Sequence, residues 1–175
     1  MAAGKGTTPL RGSLAPRSSL IREVQDGIGA VKGTDCNYFD VEIRSAFGDS
    51  LDLDAALLKQ HSQKRRWDYL LAHSPSREII GVEPHSAKED QISTIIRKRE
   101  AAKDQLASHL KPGRRVSRWL WVASGRVHFA ATEKAKLRLD QNGIQFVGRR
   151  VLAKHLPKTA PNQKGHGRTR RKSAE

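Results

Sequence analysis

Two acids, Asp68 and Glu83, occur within a stretch that reads RWDYLLAHSPSREIIGVEPHSA from Arg66 to Ala87. Two apolar runs flank the turn-forming tetrapeptide Ser74-Pro75-Ser76-Arg77, which is the pattern of a β-hairpin. A turn centred on Pro75 and Ser76 sets Asp68 directly across from Glu83. Opposed side chains on one sheet face stand about 4.5–5.5 Å apart at Cβ, where like charges destabilise the sheet unless something compensates. A divalent cation is the natural compensation, because Mg²⁺ and Mn²⁺ favour one or two carboxylates completed by water and phosphate oxygens. Period-two alternation puts His85 on the same face as Glu83 and gives the site a proton-transfer group. Arg66, Arg77, Lys88, Arg97, Lys98 and Arg99 surround the pair in sequence and would hold a phosphodiester nearby. The chemistry this predicts is metal-assisted phosphodiester hydrolysis. Asp68 and Glu83 would hold the ion, and His85 or Lys88 would position the nucleophile.

Plainer readings stand beside this one. Asp68 and Glu83 facing solvent would pair with Arg66 or Arg77, an arrangement worth little energy. His73, His85 and His128 match no zinc signature. Trp67, Tyr69, Trp119 and Trp121 belong to apolar strands and are expected in the core rather than stacked on bases. No phosphate-loop, dinucleotide, kinase or serine-hydrolase motif occurs, which disfavours nucleotide-cofactor chemistry.

The elements that must position these groups follow from periodicity. Ser18 or Ser19 caps an expected first helix with Leu20, Ile21, Val24, Ile28 and Val31 on one face, ending near Gly33. Phe39, Val41 and Ile43 alternate with polar residues as in a half-buried strand. A loop with Gly48 and a short helix from Asp54 to Gln60 follow, and then the hairpin. Ser86 and Glu89 form a capping box for a helix whose apolar face runs through Ile92, Ile95, Ile96, Leu106 and Leu110 to the stop at Lys111-Pro112-Gly113. Next come a strand around Trp119 to Ala123, a short return at Val127 to Phe129, a helix from Thr132 to Gln141, and a strand from Ile144 to Val147. Strand, helix, strand with short links implies a parallel crossover. The expected fold class is therefore α/β, a single domain with a central mixed sheet flanked by helices.

Composition bounds the partners. The 175 residues (19.5 kDa) hold 33 basic and 18 acidic residues, a formal charge of +15, with 37% apolar residues. That is room for one core, and it excludes a wholly disordered polycation. Residues 1–19 and 157–175 read as disordered basic tails around a body spanning 20–156, within which 61–156 carries most of the positive charge. A positive face with basic arms is the footprint of a polyanion binder. DNA, ahead of RNA, is the expected partner, and a second copy of the chain is a further candidate. The competing classes are a nucleic-acid binder that does not cut, and an interaction protein docking an acidic partner. No apolar run is long enough for a membrane span or a secretory signal, and a lone Cys36 cannot form an internal disulfide. A cytoplasmic or nucleoid-associated protein is expected, with no membrane partner.

An acid in one strand, then Glu-x-(Lys-like residue) in its antiparallel partner, within the order helix, strand, hairpin, helix, strand, resembles the PD-(D/E)XK nuclease superfamily. The resemblance covers roughly Leu20 to Val147. It implies a restriction-endonuclease-like fold and a catalytic Mg²⁺ or Mn²⁺ bound by Asp68 and Glu83, with the Pro84 carbonyl as a further ligand. His85 occupies the position of the family's lysine, and Trp67 stands where the family has proline. Members often place another glutamate on the first helix, and Glu23 is the residue that corresponds.

Overall fold

The computed structural model describes residues 8–128 and 133–159. In chain order its elements are helix α1 (Pro9–Ser13), strands β1 (Gln25–Asp26) and β2 (Phe47–Asp52), helix α2 (Leu53–Leu57), strands β3 (Tyr69–His73) and β4 (Glu78–Ala87), helix α3 (Ile92–Leu106), strand β5 (Val116–Val127), helix α4 (Glu133–Gln141) and strand β6 (Ile144–Phe146). Short 3-10 turns lie between them.

The strands form one sheet in the sequential order β1-β2-β3-β4-β5-β6. Strands β1 to β4 run as an antiparallel meander. Strands β4, β5 and β6 are parallel, joined by crossovers through α3 and α4. The mixed α/β class inferred from strand–helix–strand order is therefore what the chain adopts.

Alternation sorts the side chains onto two faces. Leu70 and Ala72 of β3, Ile79 of β4, and Trp119, Trp121 and Ala123 of β5 join residues of all four helices in one core. Tyr69, Leu71, Ile80, Val82, Leu120 and Val122 point the other way, onto Val31, Phe39, Ile43 and Val151. That second face is covered by 3-10 turns and loops. The helices that flank the sheet therefore pack on its first face.

Several expected elements differ. The first helix, expected from Leu20 to Gly33, is only a 3-10 turn over Ser19–Glu23, although Ser18 does accept the Leu20 N–H. Gly27 (φ 57°) and Gly29 interrupt the periodic run, and Gln25–Asp26 pairs with β2 instead. Phe39 to Ile43 is not a strand. Asp40 caps a 3-10 turn over Val41–Ala46 by accepting the Glu42 N–H, and only Phe39 bridges, to Val151. Conversely, the segment read as a loop around Gly48 is β2. Its polar residues hid it: buried Asp49 accepts the Leu10 and Arg11 N–H groups at 3.1 and 3.0 Å.

The N-terminal tail expected over 1–19 is corrected for its described part. There α1 sends Leu10 and Leu14 into the core at 0% and 1% exposure. Residues 1–7 and 160–175, which hold the rest of the expected tails, lie outside the described residues, as does Phe129 of the expected return. Val127 itself ends β5 and pairs with Ala87. Among the described residues no helix is long and apolar enough to cross a membrane.

Candidate functional site

The hairpin has the register that its turn implies. Tyr69 pairs with Val82, Leu70 with Gly81 and His73 with Glu78, around a turn at Ser74 to Arg77. Arg77 takes the left-handed conformation that closes it (φ 58°). One step before Tyr69, the Asp68 N–H donates to Glu83 Oε2 at 2.9 Å. The two carboxylates lie on the helix-covered face of the sheet, and Lys98 of α3 reaches down between them. Its Nζ is 3.4 Å from Asp68 Oδ1 and contacts Glu83 Oε1 directly.

Lys98 is there because of helical spacing. On α3, buried Ile95 and Ala102 lie three residues before it and four residues after it, so Lys98 falls on the stripe that faces the sheet. Its aliphatic stem crosses apolar packing and its ammonium ends on the acids. The neighbours turn about 100° away in either direction. Arg97 is exposed beside His61 and Lys64, whereas Arg99 lies over the Trp119 ring, 5.9 Å from its centre. Three cations consecutive in sequence therefore have separate surroundings.

His85, two residues beyond Glu83 on β4, completes the cluster. Its Nδ1 is 3.5 Å from Glu83 Oε1, and its Nε2 is 2.9 Å from Gln91 Oε1. The ring sits beside a register shift in the β4–β5 ladder between His85 and Ala87, a local irregularity of the kind that re-aims side chains. The Trp121 indole N–H donates to the His85 carbonyl at 3.3 Å. Pro84 lies beyond the last β3–β4 pair, so its missing N–H is not required by that ladder.

Burial and charge act on the cluster together. The Glu83 side chain is 0% exposed and Lys98 14%, whereas Asp68 at 30% and His85 at 26% open the cluster to solvent. Burial first, and the Glu83 charge second, push the Asp68 carboxyl up to about 7 against the pull of Lys98. His85 is raised above the ordinary imidazole value, chiefly by its bond to Glu83, with burial opposing. Near neutral pH the cluster can therefore exchange protons at two positions.

The other expected residues are placed elsewhere. Arg66 is spent on structure: its Nε pairs with Asp54 at 2.9 Å and its Nη1 donates to the His61 carbonyl at 2.6 Å. Arg77 is exposed at the far end of the hairpin, some 20 Å from Glu83 at about 3.3 Å per residue. Lys88 is exposed on the link after β4. The capping box expected of Ser86 and Glu89 does not form, because Ser86 belongs to β4 and α3 begins at Ile92 after a 3-10 turn over Glu89–Gln91. Glu23 is exposed on its 3-10 turn, and the helix that was to carry it inward is absent. Two contributors were missed. Gln91 carries no signal of its own in the sequence, and the place of Lys98 in the cluster follows from its position on the apolar stripe of α3.

A metal requires donors of the right kind. Asp68 and Glu83 supply hard oxygens, and these converge on the ammonium of Lys98. Among the described residues no group of three or more His, Cys, Asp or Glu side chains is gathered around one point. Water and substrate oxygens would have to complete the coordination of an ion.

Compared with known proteins, the chain matches no family model, no curated protein and no solved structure.

Proposed function

We propose that this is a DNA-processing protein of the PD-(D/E)XK type, hydrolysing phosphodiester bonds with Mg²⁺ or Mn²⁺ held by Asp68 and Glu83. The observation that carries the reading is the convergence of these two carboxylates on a single cation at the sheet face, in the register the hairpin implies. Support comes also from the order strand, hairpin, helix, strand, present here as β2, β3–β4, α3 and β5. A net charge of +15 is the electrostatic counterpart of a polyanionic substrate.

The ion would be held by Asp68 and Glu83, with the Pro84 carbonyl on the same strand, and when bound would lower the pKa of a coordinated water and neutralise charge developing on phosphorus. Lys98 takes the part expected of the family's lysine. Its ammonium lies beside both acids, and its flexible stem lets it turn toward a phosphate oxygen when an ion displaces it. His85, held by Glu83 and Gln91, keeps a proton next to the acids and can donate it to a departing oxygen. Substrate reaches the cluster past Asp68 and His85, its more exposed members.

Purified protein is incubated with plasmid, linear duplex and single-stranded DNA in Mg²⁺, Mn²⁺ or EDTA. The reading expects EDTA-sensitive cleavage that Asp68→Asn and Glu83→Gln abolish while DNA affinity is retained. One observation favours a second reading, a binder that does not cut: Lys98 already neutralises the acids without any ion. Salt-sensitive DNA binding with no metal-dependent product would select it.

A further inference from the structure

Between the C-terminal half of α3, the link from Lys111 to Val116 and Gly143 lies a groove of about 630 Å³, within the size range of about 300–1,000 Å³ of small-ligand sites. Among the described residues five cations line it, Arg99, Lys103, Lys111, Arg114 and Arg115, and no carboxylate does. Lys111 and Arg114 are fixed: Lys111 Nζ donates to the Gly12 carbonyl at 2.8 Å, and Arg114 Nε to Ser13 Oγ at 2.9 Å. Lys103 and Arg115 are exposed and make no ion pair among the described residues. The floor between them is apolar, formed by Leu106, Leu110 and Val116.

Arg99 marks the inner wall. Its guanidinium lies between the Trp119 ring and Gly143, where an added Cβ would come 3.1 Å from Nη2. Its Nε is buried without a hydrogen-bond partner, and burial disfavours its charge. The charge of neighbouring Glu100 opposes burial, but Arg99 makes no ion pair among the described residues, and a cation in such surroundings favours an anion that brings acceptors to it.

We propose that this groove binds a single-stranded nucleic-acid segment, with phosphates on the cationic rim and an unpaired base on the apolar floor beside Arg99. A duplex offers phosphates but keeps its base faces stacked inside, so it leaves the floor empty. An acidic peptide would satisfy the rim alone. A single strand offers both chemistries, phosphates for the rim and an unstacked base face for the apolar floor. The inference rests on nucleic acid being the partner but not on cleavage, since the groove is lined by none of Asp68, Glu83, Lys98 or His85.

The test is fluorescence anisotropy of the full chain in EDTA with labelled ten-residue oligothymidylate, a blunt duplex of the same length, and polyglutamate as competitor. Lys103→Ala/Arg115→Ala removes two exposed cations that make no ion pair among the described residues. It should weaken oligothymidylate binding by about tenfold or more, change duplex binding by less than about threefold, and flatten the logarithmic salt dependence by about 1.4 for two lost phosphate contacts. Unchanged oligothymidylate affinity, equal losses for both nucleic acids, or displacement by polyglutamate at equal charge would overturn the proposal. The assay is run in EDTA and reads binding alone, so a failure of the hydrolytic reading leaves this result untouched.

Discussion

Replacing Lys98 by methionine keeps the length of the side chain and its packing on α3 while removing the charge between Asp68 and Glu83. Among the described residues Glu83, with a side chain 0% exposed, then keeps the Asp68 N–H and His85 as partners. Breaking a buried pair from one side costs about 3–5 kcal/mol, because the remaining charge is uncompensated. For a body of this size that is a fall in Tm of about 6–20 °C, at about 2–4 °C per kcal/mol. The loss should be largest at pH 8. At pH 5, Asp68, which titrates at about 7, is protonated, and the acids repel one another less. In the double variant Lys98→Met/Glu83→Gln no buried charge is stranded, and most of the stability should return. Thermal and urea denaturation of the three proteins at both pH values measure this. A single variant within about 1 kcal/mol of wild type at pH 8, or a double variant as damaged as the single, would refute the claim that the cluster is an interdependent charge network.

Asp68→Asn tests the same cluster from its exposed side. Its raised pKa means the folded state holds a proton that the unfolded chain has released between pH 4 and 7, so stability falls as pH rises through that window and levels off above it. The asparagine variant should lack this slope, gaining about 2 kcal/mol on wild type from pH 4 to pH 7 once partial exposure is discounted. Parallel denaturation curves would contradict it. His85, raised by Glu83, should titrate above the ordinary imidazole value by NMR and move down in Glu83→Gln. No movement would remove Glu83 as the cause. Gly81→Ala would place a Cβ 2.7 Å from the Trp119 ring and 3.0 Å from Trp67 Nε1. It should cost about 1–3 kcal/mol by calorimetry. A neutral result would mean that the Trp67–Trp119 pair is free to shift.

The legible parts of this chain were those where local chemistry and tertiary packing agree. Ser74 to Arg77 fixes the hairpin and hence the relation of Asp68 to Glu83. The apolar line from Ile92 to Leu106 fixes α3, and the run from Trp119 to Ala123 fixes the centre of β5. The first forty residues of the body misled because apolar spacing was read without the cost of Gly27 and Gly29. Sheet pairing by Gln25–Asp26 and caps by Ser18 and Asp40 decided the local structure there. Strand β2 was illegible because its buried Asp49 and Ser50 are satisfied by partners distant in sequence, the backbone of α1 and the Ala30 N–H. At the candidate site the acids and His85 could be placed from the hairpin. The role of Lys98 required the rotation of α3 over the sheet.

Asp68 and Glu83 are proposed to hold a divalent cation together. Calorimetric titration of Mn²⁺ into the full chain at pH 8, in the presence of a duplex oligonucleotide, addresses it most directly. A saturable site that disappears in both Asp68→Asn and Glu83→Gln is the predicted result. Absence of that site in wild type, or its survival in both variants, would contradict it.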